Sequence, residues 1–268
     1  MAFGTFEQLS EGKGKTQLIC FPYLGGYSSA FADLARELGD EYEIWAGNPP
    51  GHGSSRGTLL EDIHGLTEYY MESILEFWRE DCIFFGHSMG GILSYFMIQK
   101  LMENPKAGFL PKAVILSACG TPAEFAEKTY SSLPDESLIS KLISYGGMPE
   151  EVLREESLLT YLLPVFRADY RVLESAAHCG YKPLKIPSYL LWGENDKAEP
   201  VEALLLWAGY FNGKVSFMKI KNGEHMFIHD QIKQVAERIR EADQKTGEEN
   251  GNESGTGTDP YQLGKQSA

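Results

Sequence analysis

The feature that most constrains the fold of this chain is a serine flanked by glycines between two contrasting segments. The apolar run at 82–85 leads directly into Gly-His-Ser-Met-Gly-Gly at 86–91, and an amphipathic segment follows. This strand–turn–helix context predicts a nucleophile elbow, in which a strained turn exposes the Ser88 hydroxyl. Side chains at 86 and 90 would collide with the neighbouring strand and helix, which explains the glycines. The alternative is a glycine-rich turn that only packs the helix on the sheet.

Short apolar and β-branched segments alternate with amphipathic ones along the rest of the chain. Strands are predicted at 16–22, 43–46, 81–86, 113–118, 188–192 and 215–220, and helices at 29–38, 63–78, 89–102, 201–211 and 231–242. Such alternation is typical of a mostly parallel sheet flanked by crossover helices. Together with the elbow, it predicts an α/β-hydrolase fold.

A helical insertion and a polar tail complete the predicted organisation. The segment at about 121–185 has no convincing strand pattern, and helices are predicted at 136–145, 149–154, 157–166 and 168–178. Because binding segments concentrate on the connections above strand ends, we expect a lid over the substrate; an additional packing layer is the alternative. Residues 1–242 are predicted to form one domain, and 243–268, rich in Gly, Glu, Ser, Thr and Asn, a disordered tail.

Charge and composition argue against several classes of function. The formal net charge of −14 disfavours a general affinity for nucleic acid or anionic lipid, since both depend on clustered lysine and arginine. The sequence has no run of about eighteen apolar residues and no signal-peptide pattern at its start, so we expect a cytoplasmic protein without a membrane segment. The four cysteines are widely spaced and form no Cys-x-x-Cys pair, which argues against disulfides and cysteine-bound zinc. We predict no metal and no cofactor.

The catalytic base is predicted from the positions of the histidines. A serine hydroxyl needs a base near neutral pH, and in this fold the chain order is serine, acid, histidine. Of the six histidines, only His225 and His229 follow the last predicted strand. His225 lies nearer the turn at 221–224 and is the predicted base. His229 is the alternative, and we expect it to have a structural role in the next helix.

The orienting acid is predicted at the carboxyl end of the strand at 188–192, where functional loops belong. Glu194 and Asp196 both lie in the loop that follows this strand. Asp196 is favoured because it lies further into the loop and its short side chain can fix the imidazole tautomer closely. Glu194 remains a candidate, and a plain Asx-turn role for Asp196 is the alternative.

The oxyanion hole is expected to consist of two backbone N–H groups. One belongs to Met89, the residue after the nucleophile, and the other to Leu24, in the loop after the strand at 16–22. The paired glycines at 25 and 26 would let this loop fold back towards the elbow.

With these residues in place, the chain resembles the type II thioesterases that accompany nonribosomal peptide synthetases and polyketide synthases. The resemblance covers roughly 18–228 and rests on Phe-Pro-Tyr-Leu-Gly-Gly at 21–26, Pro-Pro-Gly-His-Gly at 49–53, the elbow, Leu-Pro-Val-Phe-Arg-Ala-Asp-Tyr at 163–170, Leu-Trp-Gly at 191–193 leading to Asp196, and Gly-Glu-His-Met-Phe at 223–227. The motifs at 21–26 and 163–170 are much more specific to this family than the elbow. The family commonly has alanine in place of Leu24, which predicts a narrower mouth of the site here.

The resemblance implies a hydrolase that removes stalled or wrongly loaded acyl groups from the phosphopantetheine arm of acyl or peptidyl carrier domains. It implies acyl transfer to Ser88 with His225 as base, followed by hydrolysis of the acyl-enzyme. We expect a monomer. The alternatives are a carboxylesterase or lipase with the same triad, a fatty-acyl carrier thioesterase, and an inactive hydrolase fold that serves as a binding module. The competent residues at every catalytic position argue against the last.

Overall fold

The computed structural model describes residues 4–12, 16–148 and 150–253, and within them seven strands form one sheet. The strands are β1 (Phe6–Glu11), β2 (Gln17–Phe21), β3 (Glu43–Gly47), β4 (Cys82–His87), β5 (Ala113–Ser117), β6 (Ser188–Gly193) and β7 (Val215–Ile220). Their order is β1-β3-β2-β4-β5-β6-β7, with β1 antiparallel to β3 and the other neighbouring pairs parallel. This arrangement confirms the predicted mostly parallel sheet.

The helices flank the sheet and fill the predicted insertion. They are α1 (Ala32–Leu38), α2 (Ile63–Ile74), α3 (Met89–Glu103), α4 (Asp135–Ser144), α5 (Glu150–Arg154), α6 (Glu156–Ala176), α7 (Val201–Leu205), α8 (Phe227–Asp230) and α9 (Ile232–Glu253). In the described part of the chain, none of them combines the length and apolar character that crossing a membrane requires.

The two faces of the sheet are buried in different hydrophobic clusters. On β2, Ile19 and Phe21 belong to a cluster with residues of α2, α3 and α6, whereas Leu18 and Cys20 belong to a cluster with residues of α1 and α9. Every residue of β2, β4 and β5 is buried. Central parallel strands that are covered on both faces have nearly continuous apolar sequences, and this is why the sequence revealed them.

Strand β1 and the one-turn helix α8 were not predicted from the sequence. Of the residues in β1, only Phe6 is buried, and the strand lies at the edge of the sheet. An edge strand with one buried side chain lacks the apolar alternation on which strand prediction depends.

A single helix, α6, occupies the segment for which two helices were predicted at 157–166 and 168–178. The predicted break at Arg167 is wrong. Arginine is a strong helix former, so a charged residue at 167 does not end the helix. The Arg167 guanidinium donates a hydrogen bond to the Ser131 carbonyl (2.7 Å) and pairs with Asp135. Hydrophobic periodicity cannot reveal contacts of this kind. Pro164 is also accommodated inside α6.

Helix α9 continues to Glu253, although a disordered tail was predicted from residue 243. Ala242 and Thr246 are fully buried, and the Lys112 ammonium pairs with Asp243 (2.7 Å). Small and polar side chains therefore anchor the extension. Because this segment contains few aliphatic residues, its sequence shows no hydrophobic helix pattern. The rest of the predicted tail, at 254–268, lies outside the described residues.

Thr246 provides a test of this anchoring. Its hydroxyl lies 2.9 Å from the Tyr189 hydroxyl in a buried contact, so Thr246→Ala is expected to lower the free energy of unfolding by about 1–2 kcal/mol. Chemical denaturation measures the change. The control is Gln244→Ala, at an exposed position of the same helix, which should change stability by less than about 0.5 kcal/mol. Equal stability of Thr246→Ala and the wild type would contradict the docking of this part of α9.

Candidate active site

Ser88 lies at the sharp turn between β4 and α3, at the carboxyl edge of the sheet. Its backbone has φ 52° and ψ −120°, a conformation that side-chain-bearing residues rarely adopt. A Cβ at Gly86 would overlap the Gly90 carbonyl, and a Cβ at Gly90 would overlap the Phe21 carbonyl. The turn therefore needs glycine on both sides, and it presents the serine side chain at the start of the helix.

His225 and Asp196 complete a chain of hydrogen bonds that ends at Ser88. His225 Nε2 lies 3.1 Å from Ser88 Oγ, and His225 Nδ1 lies 3.0 Å from Asp196 Oδ2. The other oxygen of Asp196 accepts the backbone N–H groups of Ala198 and Glu199, both at 2.9 Å. The carboxylate favours the tautomer with a proton on Nδ1, which leaves Nε2 free to accept the serine proton.

The alternatives that the sequence left open have other partners. His229 Nε2 lies 2.9 Å from the Tyr23 hydroxyl. Glu194 is exposed, pairs with Lys219 (2.8 Å) and accepts the backbone N–H of Asn222 (3.1 Å). The geometry therefore favours His225 and Asp196 over both.

The two predicted oxyanion donors lie beside the serine. Met89 is the first residue of α3, and the side chain of Leu24 lines the same cavity as Ser88 and His225. Within the described residues, neither of the two N–H groups donates a hydrogen bond to a backbone or side-chain acceptor. Both are thus available to a ligand atom.

Residues of the helical insertion line this cavity opposite the serine. Leu142 and Tyr145 come from the α4 segment, and Phe166, Tyr170 and Leu173 come from α6. The ring of Tyr145 lies 5.1 Å from the ring of His225. The cavity is mainly apolar, so it can accept a hydrocarbon chain next to the nucleophile. Among the described residues, no cluster of histidine, cysteine, aspartate or glutamate could hold a metal ion.

The family to which this chain belongs follows from comparison with known proteins. A family model described as a thioesterase domain matches residues 16–242. The chain belongs to the thioesterase family. This confirms the predicted activity class: the protein is a serine hydrolase that cleaves thioesters.

Individual relatives agree with this assignment. The thioesterase PikA5 of Streptomyces venezuelae is 26% identical over 83% of this chain and 79% of its own length. The gramicidin S biosynthesis protein GrsT of Aneurinibacillus migulanus is 28% identical over 81% of this chain and 84% of its own. The structure of the type II thioesterase BorB from the borrelidin biosynthetic cluster superposes with a TM-score of 0.79 at 26% identity, covering 91% of this chain and 99% of that one. These relatives confirm the resemblance to type II thioesterases and the α/β-hydrolase fold.

In this thioesterase, His87 holds the loop that carries His225. His87 is fully buried, and its Nε2–H donates to the His225 carbonyl at 3.0 Å, while its Nδ1 accepts the Ser117 hydroxyl at 2.9 Å. Burial, together with the charge that His225 can carry, keeps the pKa of His87 well below its usual value. A neutral His87 is therefore a fixed support. No role of His87 was predicted from the sequence, in which its position next to Ser88 is the only signal.

Asp169 of α6 connects the helical insertion of the thioesterase to the loop after β2. Its Oδ2 accepts the Gly25 N–H at 2.6 Å and the Nε2–H of His52 at 3.1 Å. His52 Nδ1 lies 3.1 Å from the Pro50 carbonyl, so both ring nitrogens face acceptors and the ring carries a positive charge. Burial lowers the pKa of His52, but the Asp169 carboxylate outweighs it and the pKa is raised. Both residues lie in motifs that carried the resemblance, but spacing along the chain did not indicate that they meet.

Asp169→Asn is expected to destabilise the thioesterase more at about pH 6 than at about pH 9. Because the pKa of His52 is higher in the folded protein, the stabilisation from its protonation is complete below the unfolded value of 6.5 and is lost as pH rises through the folded pKa. Removing one partner of a buried pair costs about 3–5 kcal/mol, so we expect a loss of this order near pH 6. Urea denaturation at both pH values measures it.

Asp135→Asn serves as the matched control. Asp135 pairs with Arg167 and not with a histidine, so the effect of the substitution should not change between these two pH values. An effect of Asp169→Asn that is constant, or that grows with pH, would contradict a positively charged His52.

Proposed function

We propose that this thioesterase hydrolyses acyl groups from the phosphopantetheine arm of acyl or peptidyl carrier domains, and so removes stalled or wrongly loaded groups from synthetases. The observation that carries the proposal is the alignment of Ser88, His225 and Asp196 beneath a largely apolar cavity. Relatives that are named for antibiotic biosynthesis add support. We further propose that the enzyme is cytoplasmic, and that it acts as a monomer because Ser88, His225 and Asp196 already form a connected set without a second subunit.

The first chemical step is acyl transfer to Ser88. His225 Nε2 takes the proton of the Ser88 hydroxyl as Oγ attacks the thioester carbonyl, and Asp196 stabilises the imidazolium that forms. The N–H groups of Leu24 and Met89 bind the negatively charged oxygen of the tetrahedral intermediate. When the carbon–sulfur bond breaks, the thiolate takes the proton from His225 and leaves as the free carrier thiol.

The second step is hydrolysis of the acyl-enzyme. His225 takes a proton from a water molecule, which attacks the ester carbonyl, and the Ser88 oxygen recovers that proton as the acid leaves. A thiol with a pKa near 8.5 is a far better leaving group than an alcohol. The first step therefore depends little on proton donation from His225 to the leaving group.

Ser88→Ala is expected to lower hydrolysis of a carrier-bound acyl group at least about a thousandfold, because the nucleophile is lost while the fold is kept. The measurement compares an acyl-loaded holo carrier domain with the matching oxygen ester. Ser10→Ala, on the edge strand, is the matched control and should keep the wild-type rate.

Each possible failure points to a different alternative. Fast ester cleavage with an inert carrier substrate would indicate a carboxylesterase. A wild-type rate for Ser88→Ala would overturn the assignment of the nucleophile. No labelling of Ser88 by an active-site serine probe would support a binding module.

Asp196→Asn is expected to lower kcat by about a thousandfold to ten-thousandfold, because an amide at this position can stabilise the unproductive imidazole tautomer. Steady-state kinetics on the carrier-bound substrate measures the effect. Glu194→Gln is the matched control, since Glu194 is exposed and paired with Lys219, and its kcat should equal that of the wild type. The reverse result would assign the acid to Glu194.

A further inference from the structure

Two polar side chains on the wall of the active-site cavity have hydrogen-bonding capacity that the protein does not use. Tyr170 of α6 and Glu199, just before α7, line the cavity that contains Ser88 and His225. Tyr170 is only 2% exposed. Within the described residues, the Tyr170 hydroxyl has no hydrogen-bond partner, and no N–H or hydroxyl group donates to Glu199 Oε2. Buried polar atoms without partners destabilise a protein, so two of them in one cavity suggest that a ligand uses them.

Glu199 is held in the neutral form by burial and by its neighbour Glu124. Its Oε2 and a carboxyl oxygen of Glu124 both lie against Gly120, close enough that a Cβ there would overlap them. Glu124 accepts the Thr121 N–H at 2.8 Å, so it also acts as an acceptor towards the backbone. Burial, the negative charges of Glu124 and Asp196, and a hydrogen bond to the Glu124 side chain raise the pKa of Glu199 to about 9.

The positive charge of Lys141 does not remove the proton from Glu199. Lys141 Nζ donates to the Tyr145 hydroxyl at 2.7 Å and lies 3.9 Å from the centre of the Tyr130 ring. The Lys141 ammonium group therefore interacts directly with these two tyrosines. Glu199 keeps its proton, which it donates to Glu124, so the cavity presents the Tyr170 hydroxyl as a donor and the neutral Glu199 carboxyl group as an acceptor.

We propose that Tyr170 and Glu199 form a polar subsite that binds an oxygen atom on the acyl chain. The preferred substrates are then hydroxyacyl and oxoacyl thioesters rather than plain alkyl ones. The apolar part of the wall, including Leu142, Phe166 and Leu173, contacts the hydrocarbon remainder. This inference rests on the proposed function, and it narrows the class of acyl group.

The test uses a carrier domain loaded with β-hydroxybutyryl, β-oxobutyryl or butyryl groups. We expect the wild type to favour each oxygenated group over butyryl by about tenfold in kcat/KM, the size of effect expected for one or two neutral hydrogen bonds. Tyr170→Phe and Glu199→Met should each reduce this ratio towards one, mainly by slowing the oxygenated substrates. The ratio of kcat/KM values measured for the wild type is a test by itself, because it does not depend on whether a variant folds.

Tyr70→Phe is the matched control. Tyr70 is also fully buried with an unpartnered hydroxyl, but it lies on α2 and does not line the cavity. Its substitution should leave the ratio unchanged, which separates ligand binding from the removal of any buried hydroxyl.

Three results would overturn the subsite: a wild-type ratio near one, a Tyr70→Phe effect as large as that of Tyr170→Phe, or faster hydrolysis of a β-aminobutyryl group than of β-hydroxybutyryl. The last would mean that Glu199 acts as an anion. In each case Ser88-dependent hydrolysis of the carrier-bound substrates continues, and the proposed function stands. Loss of that hydrolysis for every substrate would refute the carrier function and the subsite together.

Discussion

The site depends on how closely the start of α3 approaches strands β4 and β2. Cβ atoms at Gly86 and Gly90 would overlap backbone carbonyls, so the helix can reach this position only with glycine at both. The approach forces Ser88 into its strained conformation and brings the end of β2 beside the helix N-terminus. The residues that follow β2 include Leu24. One packing constraint thus brings together the serine and the two N–H groups predicted to bind the oxyanion.

The proposed base is oriented from two sides. Asp196 holds the His225 ring through Nδ1, and its second oxygen is fixed by the N–H groups of Ala198 and Glu199. His87 holds the His225 backbone from the opposite side. Because His87 is buried and neutral, it adds a hydrogen bond without adding a charge that would lower the basicity of His225.

The sequence allows predictions for the parts of the site that depend on strand ends and chain order. Ser88 is marked by its glycines, and the loops after β6 and β7 contain few candidates for the acid and the base. The contacts of α6 could not be predicted in this way. Asp169 meets Gly25 and His52, which are more than a hundred residues away along the chain, and this depends on how the insertion folds back over the sheet.

The fold shows the same division between local pattern and distant contact. Buried strands with apolar residues on both faces were predicted almost to the residue, because burial alone determines their pattern. Strand β1 and the end of α9 were missed. Each is held by a few specific contacts, such as that of Thr246 with Tyr189, and these contribute little to hydrophobic periodicity.

The charges around the cavity are arranged to limit negative potential at the serine. The chain carries a net charge of −14, and uncompensated carboxylates near Ser88 would oppose the oxyanion that thioester cleavage must form. Asp169 faces the positive ring of His52, Asp196 faces His225 and two N–H groups, and Glu199 keeps its proton. Each of these three carboxyl groups is thus compensated by a different means. An acidic protein can in this way limit the unpaired negative charge that these three groups place beside the oxyanion.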